Sequence, residues 1–222
     1  MDWQALTLSV KLSLVTLVFL LPIGILFGRW LAYRQFFGKS LLQTVLALPL
    51  VLPPTVLGYY LLVAFSPNDG FGLWLANTFG TTLVFNFQGL VLASIIFNLP
   101  FAIQPMQRAF AAIPRQIREA AACCGMPPRQ VLWKIELPLA WPGIVSAMVI
   151  CFAHTLGEFG IVLMVGGNIP AETQTIAISI YDRVQAFDDH SASIMSFSLL
   201  LFSMLTISIT YWLAERNQHT HV

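Results

Sequence analysis

The stretch Glu119-Ala120-Ala121-Ala122-Cys123-Cys124-Gly125-Met126-Pro127-Pro128, continued to Trp133 and then Lys134-Ile135-Glu136-Leu137-Pro138, decides how the rest of the chain is read. Alanine, glutamate and arginine before Gly125 favour helix, Gly125 is a natural stop, and Pro127-Pro128 suit the first turn of a following helix. The spacing predicts helix, turn, helix. A short helix that shows Ala120-Ala121 rather than long side chains offers a smooth knob for a groove on another protein, with Glu119 placed to bond at its edge. The competing reading is an amphipathic connector lying on a membrane surface, but the Ala-Ala-Ala-Cys-Cys run lacks the bulky anchors such a helix uses. Docking, not catalysis, fits these residues.

What flanks this segment is membrane. Of the 222 residues 57% are hydrophobic and only 9% charged, whereas about a quarter of a soluble domain is charged. A net charge of +1 lacks the concentrated basic face that phosphate binding demands, so nucleic acid is excluded as a partner. Cys123, Cys124 and Cys151 read as free thiols in a reducing setting rather than a disulfide framework.

Apolar runs at about Ala5 to Phe27, Leu41 to Phe65, Phe85 to Gln104, Trp141 to Val165 and Ala192 to Leu213 each approach the ~20 residues that cross a bilayer, so an all-α membrane protein of about five spans is expected. The first run is too long for a signal peptide's apolar region, and Arg29, Arg34 and Lys39 follow it rather than precede it. Ser66 to Thr82, with Pro67, Asn68, Asp69, Gly70 and Gly72, and Gly166 to about Ser191 are read as outside segments, the second with room for a short inserted piece. Arg29, Arg34, Lys39, Arg108, Arg115, Arg118, Arg129, Lys134 and Arg216 fall on one side under this topology, and only Lys11 and Arg183 do not. Positive residues collect in short cytoplasmic loops, so the docking segment is expected in the cytoplasm, with the N-terminus outside and the C-terminus inside. The whole chain, residues 1–222, reads as one transmembrane domain with a cytoplasmic coupling loop at about 108–138.

Several motifs remain. Gly38-Lys39-Ser40 has the end of a phosphate-binding loop, but Tyr33 stands where the pattern needs glycine and no strand precedes it. Lys39 is better read as a positive anchor, and any ATPase belongs to another polypeptide. Pro49, Pro53 and Pro54 lie in the second run and remove backbone donors, giving either a broken pathway helix or a packing kink. Glu158 falls toward the outer end of the fourth run, where a charge at the bilayer centre would cost about 2.5 to 3.5 kcal/mol. With Gly157, Phe159 and Gly160 it is either part of an outer gate or a hydrogen-bond partner for broken backbone. His154 and Glu158 share a helical face, which allows a proton relay, but two ligands do not make a zinc site. His219 and His221 lie in a polar tail. No catalytic, metal-ligating or cofactor-binding group is expected in this chain. The spans hold almost no basic side chain, so tight recognition of a dianion within them is not expected.

Glu119-Ala120-Ala121, three residues, Gly125, nine residues, Ile135, one residue and Leu137-Pro138 resembles the cytoplasmic loop signature of permease subunits of bacterial ABC importers, and matches at every position. Leu48-Pro49-Leu50-Val51-Leu52-Pro53-Pro54, Leu156-Gly157-Glu158-Phe159-Gly160 and Asn168-Ile169-Pro170-Ala171-Glu172-Thr173 look like the molybdate branch, with tungstate and sulfate permeases close by. The resemblance implies a type I permease fold in the bacterial inner membrane, acting as a homodimer. It further implies a separate ABC ATPase that binds ATP, and a periplasmic oxyanion-binding protein that selects the substrate. Glu119, Ala120, Ala121, Gly125, Ile135, Leu137 and Pro138 then couple to the ATPase. The rivals are a proton-coupled secondary transporter using His154 and Glu158, a membrane-embedded enzyme using the same pair, and an adaptor that docks a partner and carries nothing.

Overall fold

A computed structural model describes residues 2–68 and 70–218, with side chains as far as Ser208; Asp69, His219, His221 and the Arg216 side chain lie outside the described residues. In chain order the described residues form α1 (Trp3–Tyr33), α2 (Lys39–Val51), α3 (Pro54–Phe65), α4 (Gly70–Phe79), α5 (Phe87–Ala111), α6 (Arg115–Cys123), α7 (Pro128–Val131), a π-helical turn (Leu132–Glu136), α8 (Leu137–Leu156), α9 (Gly160–Gly166), α10 (Ile176–Gln185) and α11 (Asp189–Gln218). Four stretches are long and apolar enough to cross a bilayer: α1, α5, the continuous run Pro128–Leu156, and Asp189–Ser208 of α11. Helices α2 and α3 pass the same test only as a pair, bent by 110° at their junction. The expectation of about five apolar crossings is met in this form.

Helix α5 is the interior member. Of its most apolar window 61% is buried, against 28% for α1 and 11% for the Asp189–Ser208 stretch of α11, which leaves most of its apolar surface exposed. One half of the bundle joins Leu12 of α1, Leu61 and Phe65 of α3, Leu90 and Phe97 of α5, and Ile161 and Val165 of α9. The half that carries α6 joins Met106 and Phe110 to Ala140, Ile144 and Ala147. Small residues set the α1–α5 distance: a Cβ on Gly28 would lie 3.0 Å from the Gln107 nitrogen and 3.1 Å from Met106 Cβ. Gly28→Leu is therefore expected to lower stability by about 1–3 kcal/mol through overpacking against backbone, read as an earlier melting transition of the purified protein in detergent.

The segments read as outside loops carry helices. Asn, Gly and Pro around 67–72 suggest an irregular loop, yet Gly70, at φ +56, opens α4, and Gly72 lies against the Phe65 and Ser66 carbonyls where a Cβ would not fit. Helix α10 occupies part of the second segment and is pinned to the start of α1. Ser9 Oγ accepts from the Ile176 N–H at 2.8 Å, and Ser179 donates to Asp2, which also caps α1 through the Ala5 N–H.

Candidate functional site

Helix α6 is short because both ends are enforced. Pro114 precedes it, and Gly125 ends it in the left-handed region at φ +72. The Met126 N–H bonds the Ala121 carbonyl at 3.2 Å and the Gly125 N–H bonds that of Ala122 at 2.9 Å, a Schellman closure that only glycine or asparagine enters readily. Pro127 and Pro128 then start α7, as their spacing predicts. Pro138 cannot donate to the Lys134 carbonyl, and the chain widens there, the Leu137 N–H reaching five residues back to Leu132. The second helix of the motif is thus no separate connector but the start of the long run Pro128–Leu156.

Glu119, Ala120, Ala122, Cys123, Cys124 and Gly125 are exposed and form the outer face of this segment. Ala121 is not part of it: at 5% exposure it is turned inward, one helical turn from Arg118 on the same face. Here the expectation that Ala120 and Ala121 are shown together is corrected by the 3.6-residue period. Glu119 bonds Arg115 at 2.5 Å, but both side chains are largely exposed and such a pair is screened and weak, so the carboxylate stays free to exchange partners. Ile135 and Leu137 are half-buried, Leu137 against the Met106–Phe110–Ile144 cluster, while Pro138 is exposed. The signature therefore divides into an outer face (Glu119, Ala120, Gly125) and residues that shape the joint with α8.

Behind α6 sits a group that sequence reading missed. Glu136, in the π-helical turn, is fully buried at 0% exposure. Arg29 of α1 donates to it through Nε at 2.5 Å and through its Nη2 at 3.4 Å, and Nε of Arg118 of α6 lies 3.2 Å from its Oε1. The Arg118 guanidinium lies 3.5 Å over the Tyr33 ring, and the Tyr33 hydroxyl donates to the Phe110 carbonyl at 3.1 Å. Arg29 and Arg118 read only as positive anchors in the sequence. The signal was the lone acid between Ile135 and Leu137-Pro138, since an acid at the end of an apolar run needs a cation.

The second constellation is a pair of helix breaks. Of the three prolines, Pro49 lies inside α2, and the break falls at Leu52-Pro53, with Pro54 as the first residue of α3. Leu52 takes the extended backbone, ψ 136°, that a following proline favours. The fourth run is not one span to Val165: α8 stops at Leu156, and α9 restarts at Gly160. Glu158 lies between them, 7% exposed, and its carboxylate accepts the Ile161 N–H at 3.0 Å, capping α9. Glycine at 157 and 160 and this competing side chain are why the helix does not continue. The two breaks touch, for a Cβ on Gly160 would lie 2.9 Å from Pro54 Cβ and 3.3 Å from the Thr55 nitrogen. Phe159 packs beside them on Tyr181, 4.9 Å between ring centres. Pro53, Pro54, Gly157, Glu158, Phe159 and Gly160 thus gather in one place, and Pro49 stands apart.

His154 does not join them. Its Nδ1 is 3.2 Å from Asn98 Oδ1 and its ring lies against Phe97 and Phe101, 4.8 and 4.1 Å between centres, so its partner is Asn98 rather than Glu158. A cavity of about 180 Å³ at the α6 end of the bundle is lined by Gln43, Gln104, Gln107 and Arg108 with Leu31, Leu46 and Ile103. Its neutral amides and one guanidinium suit weak rather than tight contact with an anion.

The bundle thus combines apolar helices packed on α5, two helix breaks in contact and an exposed α6 knob. A family model for the binding-protein-dependent transport system inner membrane component matches residues 21–219, and the chain belongs to that family. It is 43% identical over 211 residues to the molybdenum transport system permease protein ModB of Azotobacter vinelandii, covering 95% of this chain and 93% of that one. Against the protein of the same name from Escherichia coli K12 it is 39% identical over 218 residues, 96% and 94% of the two chains. The sulfate transport system permease protein CysT of Escherichia coli K12 is 32% identical over 184 residues, 83% of this chain and 66% of that one. Among solved structures, a bacterial ABC transporter involved in import of the acidic polysaccharide alginate superposes with a TM-score of 0.80 at 19% identity, over 96% of this chain and 78% of that one. The MetNI methionine ABC transporter, in an inward-facing conformation, gives 0.68 at 20% identity, over 97% and 93%. The chain is a multi-pass membrane protein with the type I ABC importer permease fold.

Proposed function

We propose that this chain, as a single permease domain over residues 1–222, is the membrane subunit of an ATP-driven importer that carries molybdate across the bacterial inner membrane. The observation that carries the coupling role is the exposed small-residue run Ala120, Ala122, Cys123 and Cys124 beside Glu119, closed by Gly125. The substrate follows from the similarity to molybdenum permeases over nearly the whole chain. ATP is bound by a separate ABC ATPase, into whose groove Glu119, Ala120 and Gly125 fit from the cytoplasm. A periplasmic oxyanion-binding protein delivers the substrate. A second copy of this chain completes the pathway, because one α6 knob per chain engages one ATPase subunit. The N-terminus then lies in the periplasm and the C-terminus in the cytoplasm, the side that positive residues favour.

ATP binding closes the ATPase dimer, draws the two α6 knobs together and opens the pathway outward; hydrolysis reverses this. The contact of the two breaks at Pro54 and Gly160 is the wall that shifts. No cofactor is needed in this chain for such a cycle. The test is uptake of labelled molybdate into vesicles holding permease, ATPase and binding protein, with tungstate and sulfate as competitors. The expected result is ATP-dependent uptake that excess sulfate reduces little. Uptake driven by a proton gradient without ATP would favour the secondary transporter, and uptake blocked equally by sulfate would move the chain to the sulfate permeases.

A further inference from the structure

We propose that Arg118, Glu136 and Arg29 form the joint through which movement of α6 reaches the spans, with Arg118 and Glu136 as positioning residues for coupling. This rests on the role of α6 proposed above. Helix α6 has little grip of its own, since Ala121 is its one buried side chain. What fixes it to the bundle is Arg118, whose guanidinium is held between the Glu136 carboxylate, 3.2 Å away, and the Tyr33 ring, 3.5 Å away. Glu136 closes the π-helical turn directly before α8, and through Arg29 the same carboxylate grips α1. Three segments, α1, α6 and the π-helical turn, thus meet at one buried carboxylate.

The chemistry makes this joint directional and stiff. Two guanidiniums share the carboxylate, Arg29 gripping it with two donors and Arg118 approaching Oε1 through Nε, and removing either leaves a fully buried acid with one cation fewer. The contrast on the same helix is Arg115–Glu119, exposed on both sides, which can open without leaving a buried charge. The π-helical turn adds a reason to place the joint here, because Pro138 leaves the helix ladder interrupted one residue after Leu137 and a load on Glu136 can be absorbed locally or passed along α8. With Arg118 and Glu136 engaged, α6 moves as one body with α1 and α8. With the joint cut, α6 can stay seated on the ATPase while the spans no longer follow.

The measurement is molybdate taken up per ATP hydrolysed by the assembled complex in vesicles, together with recovery of the ATPase with the tagged permease. For Arg118→Gln and for Glu136→Gln, ATPase recovery is expected within two-fold of wild type while uptake per ATP falls at least ten-fold. Arg118→Lys keeps the charge and is expected to restore part of the ratio, and the double variant is expected to be no worse than the poorer single one, because both changes cut one joint. An unchanged ratio in both single variants overturns the joint. So does loss of ATPase recovery in Arg118→Gln and Arg118→Lys alike, which would make Arg118 a docking or folding residue. If the wild-type complex itself shows no ATP-dependent uptake, it is the proposed function that fails, and the two failures are told apart.

Discussion

Gly125→Leu is expected to abolish ATP-driven uptake while leaving the permease folded in the membrane. Two properties of the site combine. The backbone at φ +72 suits glycine, and a leucine there costs about 1–2 kcal/mol, a local strain at the end of a short exposed helix. A Cβ at this position meets nothing within 4 Å, so no clash arises inside the chain and the added bulk projects outward beside Ala122 and Cys124. That is where the partner's groove must close. Loss of a central contact of this kind is worth about 2 kcal/mol or more, roughly thirty-fold in affinity, and is read as loss of ATPase recovered with the tagged permease. Gly125→Asn separates strain from bulk, since asparagine enters the left-handed region and is smaller. It should keep most of the recovery. Wild-type recovery and uptake in the leucine variant would remove Gly125 from the interface.

The second large effect belongs to the paired breaks. Gly160→Leu must push α9 off the start of α3, because backbone atoms of Pro54 and Thr55, and not only movable side-chain ends, stand within 3.5 Å of the new Cβ. Uptake is expected to fall by at least ten-fold, or about 1.4 kcal/mol, with ATPase recovery unchanged, since α6 is remote from this contact. Glu158→Ala works on the same break by chemistry rather than volume. It leaves the buried Ile161 N–H without its acceptor, at a cost of about 1–3 kcal/mol, and should loosen α9 rather than displace it. Glu158→Gln retains an acceptor oxygen and is expected to keep much of the uptake. A glutamine variant as impaired as the alanine one would instead mark the charge itself as what matters.

Much of this architecture was open to reading along the chain, and the parts that were not share a cause. Apolar length marks α1, α5 and α11, because crossing a bilayer leaves a continuous hydrophobic run. Gly125 and Pro127-Pro128 mark α6 and α7, because backbone restrictions act over neighbouring residues. At Glu158 the reading as a hydrogen-bond partner for broken backbone matches its bond from the Ile161 N–H, but the end of α8 at Leu156 was not placed, since hydropathy sees one apolar run from Trp141 to Val165. Pro49 misled for the opposite reason: a proline within a helix need not break it when its carbonyl partner can be satisfied by neighbours. Helices α4 and α10 escaped because their turn residues describe their ends rather than their bodies. Glu136 could be flagged as an acid that needs a cation, but one partner, Arg29, sits 107 residues away on α1 and the other, Arg118, on α6, and no local pattern names them.

The coupling role of α6 is tested most directly by its own thiols. Cys123 and Cys124 are exposed on this segment, and Cys151 is buried within α8. A membrane-impermeant maleimide should therefore label the permease in inverted vesicles stripped of ATPase, should fail to label it in right-side-out vesicles, and should be blocked in inverted vesicles once ATPase is added back. Labelling from the outer side, or labelling that bound ATPase leaves unchanged, would contradict the placement of α6 as the cytoplasmic element on which the ATPase acts.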